Sequence, residues 1–182
     1  MKIAIATLGC KVNQCESAAL TEAFAARGHA PVGVNEPADV YIVNTCTVTG
    51  RTDEQSRQLV QRIIRRHPTA TVVVTGCYAQ INPDALAAIP GVALIVGTED
   101  KPRIPDLLEA SLPDPPRRVV GDAARIRTFA TPPLDRFPGR TRAFLKIQDG
   151  CNARCSYCIV PSARGPSRSM QPGDVLENIS AL

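Results

Sequence analysis

The chain alternates short, almost wholly apolar runs with longer stretches in which apolar residues recur every three or four positions. The apolar runs are residues 3–7 (IAIAT), 40–44 (VYIVN), 71–75 (TVVVT) and 92–96 (VALIV). Each is rich in Val, Ile or Ala and too short for a stable helix, so each is expected to be a strand covered on both faces. Residues 13–27 and 53–67 carry helical periodicity between them. Gly28 stands where a helix-ending glycine is expected, and Pro68 closes the second helix. Asn82-Pro83-Asp84 opens a short helix, with an N-cap residue followed by Pro at the first helical position. A further helix is expected from about Pro102 to Ser111. Strands alternating with helices imply a small α/β domain, an open, doubly wound parallel sheet over residues 1–111.

The pattern breaks at residue 112. Six of the sixteen prolines fall in residues 112–139, interleaved with arginines. This stretch reads as a Pro/Arg-rich linker, with a short extended pair around residues 118–120 and 125–129. Residues 143–148 (AFLKIQ) then read as a new strand, followed by a Cys-rich loop and a helix opened by Pro172-Gly173-Asp174. Residues 140–182 would thus form one βα unit, whereas a closed βα barrel takes roughly 200 residues or more. The chain is therefore expected to be a fragment of a longer protein.

Composition narrows the function classes. Hydrophobic residues make up 44% of the 182, enough for a core, and no low-complexity tract suggests disorder. No run reaches the roughly 18 apolar residues of a membrane span, and the N-terminus lacks a secretory pattern. A reducing cytoplasm is the expected setting, where seven cysteines point to metal or catalysis rather than disulfides. Aromatics are only 4% and Trp is absent, which disfavours broad base-stacking platforms. The net charge of +4 is uneven. Residues 1–111 hold 10 basic and 11 acidic side chains, and residues 112–182 hold 11 and 6. Arg117, Arg118, Arg125, Arg127, Arg136, Arg140 and Arg142 form a block suited to nucleic acid, or simply a solvated linker.

Three cysteines follow three predicted strands: Cys10 after the first, Cys46 after the second and Cys77 after the third. In a parallel sheet the strand C-termini share one edge, where doubly wound folds bind ligands. The three thiols can therefore converge there, beside the small residues Gly9, Thr45 and Gly76. The alternative is that they are buried apolar side chains. Three thiolates without an evident fourth ligand suit an iron–sulfur cluster with one open iron, or a zinc site, although the paired hooks usual for structural zinc are missing. Cys15 reads as a spare thiol, with fourth ligand as the minority reading. The second set is local, Cys151-Asn-Ala-Arg-Cys155-Ser-Tyr-Cys158, a spacing that lets one loop wrap three corners of a cubane. A zinc-stabilised nucleic-acid-binding module is the rival from another class. It would need a fourth ligand, and no His is nearby, since His29 and His67 lie in the first domain.

The arrangement Cys-x3-Cys-x-aromatic-Cys resembles the signature of radical S-adenosylmethionine enzymes. More narrowly, TLGCKVNQ, NTCTVTGRTDEQSRQ, VVVTGCYAQ and FLKIQDGCNARCSYCIVPSARGPSRS resemble the methylthiotransferase family, and within it the MtaB type. That resemblance implies an N-terminal domain over residues 1–111, then the linker and the start of a radical-enzyme βα barrel. It implies two [4Fe–4S] clusters, one on Cys10, Cys46 and Cys77, the other on Cys151, Cys155 and Cys158. S-adenosyl-L-methionine would bind the second, with Tyr157 near its adenine, and yield a 5′-deoxyadenosyl radical. The implied reaction adds a methylthio group to C2 of N6-threonylcarbamoyladenosine at position 37 of tRNA. Sister branches act on isopentenyladenosine, with GCQMN in place of Gly9-Cys10-Lys11-Val12-Asn13, or on a ribosomal protein. Implied partners are the tRNA anticodon loop and an electron donor such as flavodoxin or ferredoxin. Arg164 and Arg168 are candidates for contacting S-adenosylmethionine, the substrate or the domain interface, or for holding the loop. Asn13, Asn44 and Gln80 either orient the first ligand set or cap turns and helices. Cys15 and Met170 depart from the family pattern without touching the six ligands. Residues 1–182 alone are expected to be inactive, because one βα unit cannot enclose a radical.

Overall fold

The computed structural model of the chain describes residues 1–109, 117–130 and 144–181. A six-stranded, wholly parallel sheet forms its centre. In chain order the elements begin with β1 (Lys2–Thr7), α1 (Lys11–Ala26), β2 (Ala30–Val32), β3 (Val40–Thr45) and α2 (Gly50–Arg66). They continue with β4 (Thr71–Gly76), α3 (Cys77–Ile81), α4 (Pro83–Ala87) and β5 (Val92–Val96). A 3-10 turn over Lys101–Arg103 leads into α5 (Ile104–Glu109), and β6 (Arg117–Val119) follows. The strand order is β2-β1-β3-β4-β5-β6.

The apolar runs become the middle strands because both of their faces are covered. Successive side chains on a strand point to opposite faces. Along β3, Val40 and Ile42 join Leu20 and Phe24 of α1 and Ile104 and Leu107 of α5. Tyr41 and Val43 join Val60 and Ile63 of α2, with Leu86 of α4, on the other face. All six residues of β3 are buried. The α/β, doubly wound class expected from the sequence is the class observed.

The sheet gains one strand that the pattern did not announce, β2, and takes in as β6 the extended segment expected near residues 118–120. β2 is a three-residue edge strand containing Pro31, a place where a missing backbone donor is tolerated. β6 lies within the Pro/Arg-rich stretch and pairs in parallel with β5, Leu94 with Arg117 and Val96 with Val119. It does not pair with residues 125–129, because Ala123–Arg125 turn as a 3-10 helix. The expected strand over 143–148 is not formed among the described residues either. Only Gln148–Asp149 (β7) is extended and bridged, antiparallel to Arg168–Ser169 (β8). Between β7 and β8 lie the Cys-rich loop and α6 (Val160–Arg164), and α7 (Pro172–Ala181) follows. Ala143, Ser111 and half of the linker (residues 112–116 and 131–139) fall outside the described residues. No described helix is long and apolar enough to cross a membrane.

Candidate functional site

The register of the sheet gathers the first three cysteines. Thr7 of β1 is level with Asn44 of β3, and Thr45 of β3 is level with Gly76 of β4. Cys46 and Cys77 each follow the last of these paired residues, on strands about 4.8 Å apart. Cys10 lies three residues beyond Thr7, as the N-cap of α1, and Cys77 is the first residue of α3. All three therefore occupy the C-terminal edge of β1, β3 and β4, three neighbours in the sheet.

Two glycines let the loops of that edge approach. Gly9 and Gly76 have φ of +95° and +99°, a conformation other residues rarely adopt. A Cβ on Gly9 would lie 2.6 Å from the Cys46 Sγ, and one on Gly76 would lie 2.3 Å from the Thr45 carbonyl oxygen. Asn13 stitches the crossing by donating its amide to the Leu8 carbonyl at 2.8 Å and the Thr45 carbonyl at 3.0 Å. Asn44 donates to the Asn13 carbonyl and to Ser17 Oγ, both at 3.0 Å. The Thr45 hydroxyl donates to the Thr75 carbonyl at 2.6 Å and accepts from the Ala79 amide at 3.4 Å. Gln80 serves elsewhere: it accepts from the Thr98 amide at 2.9 Å and donates to the Gly121 carbonyl at 2.7 Å, tying α3 to the end of the sheet. Cys46 is buried, Cys77 partly buried and Cys10 exposed, so the edge opens to solvent on the Cys10 side. Cys15 is buried on another side of α1 and donates to the Phe144 carbonyl at 3.1 Å.

Beside this edge lies a cluster of charges that the sequence did not reveal. The Glu16 Oε1 accepts from Lys146 and Arg164, both at 2.8 Å. Its Oε2 accepts from Lys101 and, at 3.2 Å, from Arg164. Asp149 accepts from Arg164 at 3.0 Å, from Lys146 at 2.7 Å and from Arg168 at 3.0 Å. Arg164 also donates to Asn13 Oδ1 at 2.8 Å, and Lys101 to Asn44 Oδ1 at 3.0 Å. Two carboxylates thus face four cations, with all six side chains at most 9% exposed. Buried charges are tolerated only when paired and hydrogen-bonded, and here a positive excess remains. It lies near the Cys77 thiol. Burial raises the Cys77 thiol above its ordinary value, and the nearby charges of Arg164 and Lys101 offset that only in part. The one local signal was Glu16 itself, which shares the buried face of α1 with Asn13, Leu20 and Phe24.

The second cysteine set is carried onto the same side of the molecule. The Cys151 amide donates to the Gly165 carbonyl at 3.0 Å, and the Cys158 amide to the Cys155 carbonyl at 3.0 Å, closing a turn. Gly150 and Gly165 again have positive φ. A Cβ on Gly165 would lie 2.0 Å from the Ala123 carbonyl oxygen, and one on Gly150 would lie 2.1 Å from that of Pro166. The Gly165 approach presses the base of the loop onto the 3-10 turn at Ala123–Arg125, and the Gly150 approach closes the two ends of the loop on each other. Cys155 is exposed, Cys151 and Cys158 are partly so, and Tyr157 is 89% exposed. Arg168 secures the loop base by donating to the Arg164, Pro166 and Thr128 carbonyls.

Among the described residues, no three Cys, His, Asp or Glu side chains are gathered closely enough to hold a single metal ion. Each cysteine set is nonetheless a soft, all-thiol donor set, and at the strand edge the glycine cradle and adjacent positive charge suit an anionic group. That donor chemistry fits an iron–sulfur cluster and not a hard, oxygen-seeking cation.

Comparison with known proteins places this geometry. Residues 2–97 match the family described as Uncharacterized protein family UPF0004. The chain is 41% identical over 181 residues to the threonylcarbamoyladenosine tRNA methylthiotransferase MtaB of Bacillus subtilis (strain 168), covering 99% of this chain and 40% of the relative. It is 41% identical over 186 residues to the MtaB of Aquifex aeolicus (strain VF5), covering 100% of this chain and 45% of the relative. It is also 34% identical over 202 residues to the ribosomal protein uS12 methylthiotransferase RimO of Roseiflexus sp. (strain RS-1), covering 100% of this chain and 43% of the relative. The chain thus spans less than half the length of these methylthiotransferases. The matched stretch contains the whole cysteine-bearing edge of β1, β3 and β4, and by that match the chain belongs to the UPF0004 family.

Proposed function

We propose that this chain is the cysteine-bearing portion of a radical S-adenosylmethionine methylthiotransferase that adds a methylthio group to C2 of N6-threonylcarbamoyladenosine at position 37 of tRNA. The observation that carries the reading is the pairing of two thiol sets. Cys10, Cys46 and Cys77 stand on three adjacent strand ends, and the Cys151–Cys158 loop is docked on the same charge cluster. In this reading each set holds a [4Fe–4S] cluster, and the loop set, with Tyr157, receives S-adenosyl-L-methionine. Those groups supply the radical, the sulfur and the methyl group when bound. The protein's own part is to hold the sulfurs, to balance their charge with Arg164 and Lys101, and to keep the thiol edge partly dry. Residues 1–111 serve as the first domain, residues 112–139 as the connection and residues 140–182 as the start of the radical-enzyme domain. The partners are the anticodon loop of tRNA and a low-potential electron donor such as flavodoxin or ferredoxin, in the cytoplasm.

Nucleoside mass spectrometry of tRNA from cells deleted for this gene tests the substrate. The expected result is loss of the methylthio derivative with retention of N6-threonylcarbamoyladenosine. The similarity to RimO of Roseiflexus sp. supports a second reading, a ribosomal protein substrate. Unchanged tRNA together with loss of a methylthio group from uS12 would favour it.

A further inference from the structure

The cluster around Glu16 contains one side chain that reaches both cysteine sets. Arg164 closes α6, six residues after Cys158, and its guanidinium is 6% exposed. One face of the fork grips Glu16 through two nitrogens, at 2.8 and 3.2 Å. It also donates to Asp149, two residues before Cys151, at 3.0 Å, and to Asn13, which ties the Cys10 loop to the Cys46 strand, at 2.8 Å. That same Asn13 Oδ1 also accepts from the Cys10 Sγ at 4.0 Å, so the guanidinium reaches the thiol edge through one shared oxygen. No other described side chain joins the β1–β3–β4 edge to the strand that launches the Cys151 loop through so many direct bonds.

We propose that Arg164 is a positioning residue that sets the reduction potential of the centre held by Cys10, Cys46 and Cys77, with Glu16 as the counter-charge that fixes its orientation and limits its effect. The inference rests on the reading that those three thiols hold an iron–sulfur cluster. Hydrogen bonds and positive charge at a thiolate sulfur stabilise the reduced, more negative state and so raise the potential. The effect is strong here because both groups are buried, where charges are screened less than at the surface. Arginine is suited to the task. It stays charged when buried, and its planar fork serves the Glu16 carboxylate and the Asn13 side chain of the thiol edge together, which a lysine ammonium cannot do in the same geometry. Glu16 acts with the opposite sign, since a carboxylate beside the site disfavours the added electron.

The test uses the whole chain carrying Cys151→Ala, Cys155→Ala and Cys158→Ala, so that only the first set can load. After anaerobic reconstitution with iron and sulfide, iron per chain and the one-electron midpoint potential are measured. The comparison is the parent against Arg164→Gln, Arg164→Lys and Glu16→Gln. The expected result is iron retained, a more negative potential in Arg164→Gln, a value nearer the parent in Arg164→Lys, and a more positive potential in Glu16→Gln. Opposite shifts at the two partners are what a purely structural role would not produce. If Arg164→Gln fails to fold, Arg164→Lys and Glu16→Gln still report a value and a sign. Loaded variants that share the parent's potential, or that all shift in one direction, would overturn the proposal and leave the cluster reading standing. A parent that takes up no iron would overturn both.

Discussion

Glu16 is the residue on which the charge cluster turns, since it accepts from Lys101, Lys146 and Arg164 at once. Removing one partner from a buried ion network leaves the others uncompensated, at a cost of about 3–5 kcal/mol. Glu16→Ala is therefore expected to lose about that much in urea unfolding, and a loss under about 1 kcal/mol would show the cluster to be solvated. Acid should act through the same carboxylates. Burial pushes the Glu16 carboxyl up, but Lys101, Arg164 and Lys146 outweigh it and hold it well below the usual range. Asp149 is lowered as well, its burial outweighed by Arg164 and Lys146. A carboxylate depressed in the folded state stabilises it fully above the unfolded value, near 4, and loses that contribution as pH falls through the lower folded value. Stability should hold flat above about pH 5 and fall steadily below pH 4, and Glu16→Gln should flatten that acid limb. The spacing of Asn13, Glu16, Leu20 and Phe24 already placed Glu16 on the inner face of α1. Its partners were not legible, because Lys101, Lys146 and Arg164 lie 85, 130 and 148 residues away, and only the fold brings them near.

At the level of elements, the turn from β4 into α3 sets where Cys77 stands, and Gly76 makes it possible. Gly76→Ala combines a positive φ with a Cβ 2.3 Å from a backbone oxygen that cannot swing away. About 3 kcal/mol or more of lost stability is expected, since strain and overpacking add. Gly28→Ala is the control, because its φ of +78° is also left-handed but nothing lies within 4 Å of its Cβ. It should cost only about 1 kcal/mol. Equal losses in urea unfolding would contradict the close crossing at the cysteine edge. The strands that were legible, β1, β3, β4 and β5, are those whose own residues pay for burial on two faces. β2 went unannounced and β6 was legible only as a short extended segment, since both are short and polar or proline-bearing and pair because β1 and β5 offer edges for them. The apolar run within residues 143–148 misled for a related reason. Lys146 turns inward to Glu16 and Asp149, and Ile147 is left 52% exposed, so residues 144–147 serve the ion cluster and only Gln148 enters a strand.

At the scale of the whole molecule, the C-terminal cysteine segment and the α/β sheet meet through α6, the Gly165 approach and the Glu16 cluster. The basic stretch lies beside that junction. Arg118 is paired with Asp84, whereas Arg125, close to Asp122, and Arg127 both remain exposed. If these two arginines touch tRNA phosphates, Arg125→Ala with Arg127→Ala should weaken binding and lower the slope of log affinity against log salt by roughly one to two. An unchanged slope would remove them from the interface. Family membership was legible because the cysteine motifs are local strings. The way the two sets are joined was not, because it depends on contacts between distant segments. The central claim is that the chain holds two separate iron–sulfur sites, and metal analysis tests it most directly. The chain, a Cys10/Cys46/Cys77 triple-Ala variant and a Cys151/Cys155/Cys158 triple-Ala variant would be reconstituted anaerobically with iron and sulfide. The account predicts about eight irons per chain, falling to about four in each variant. Zinc in place of iron, or iron content indifferent to both sets of substitutions, would contradict it.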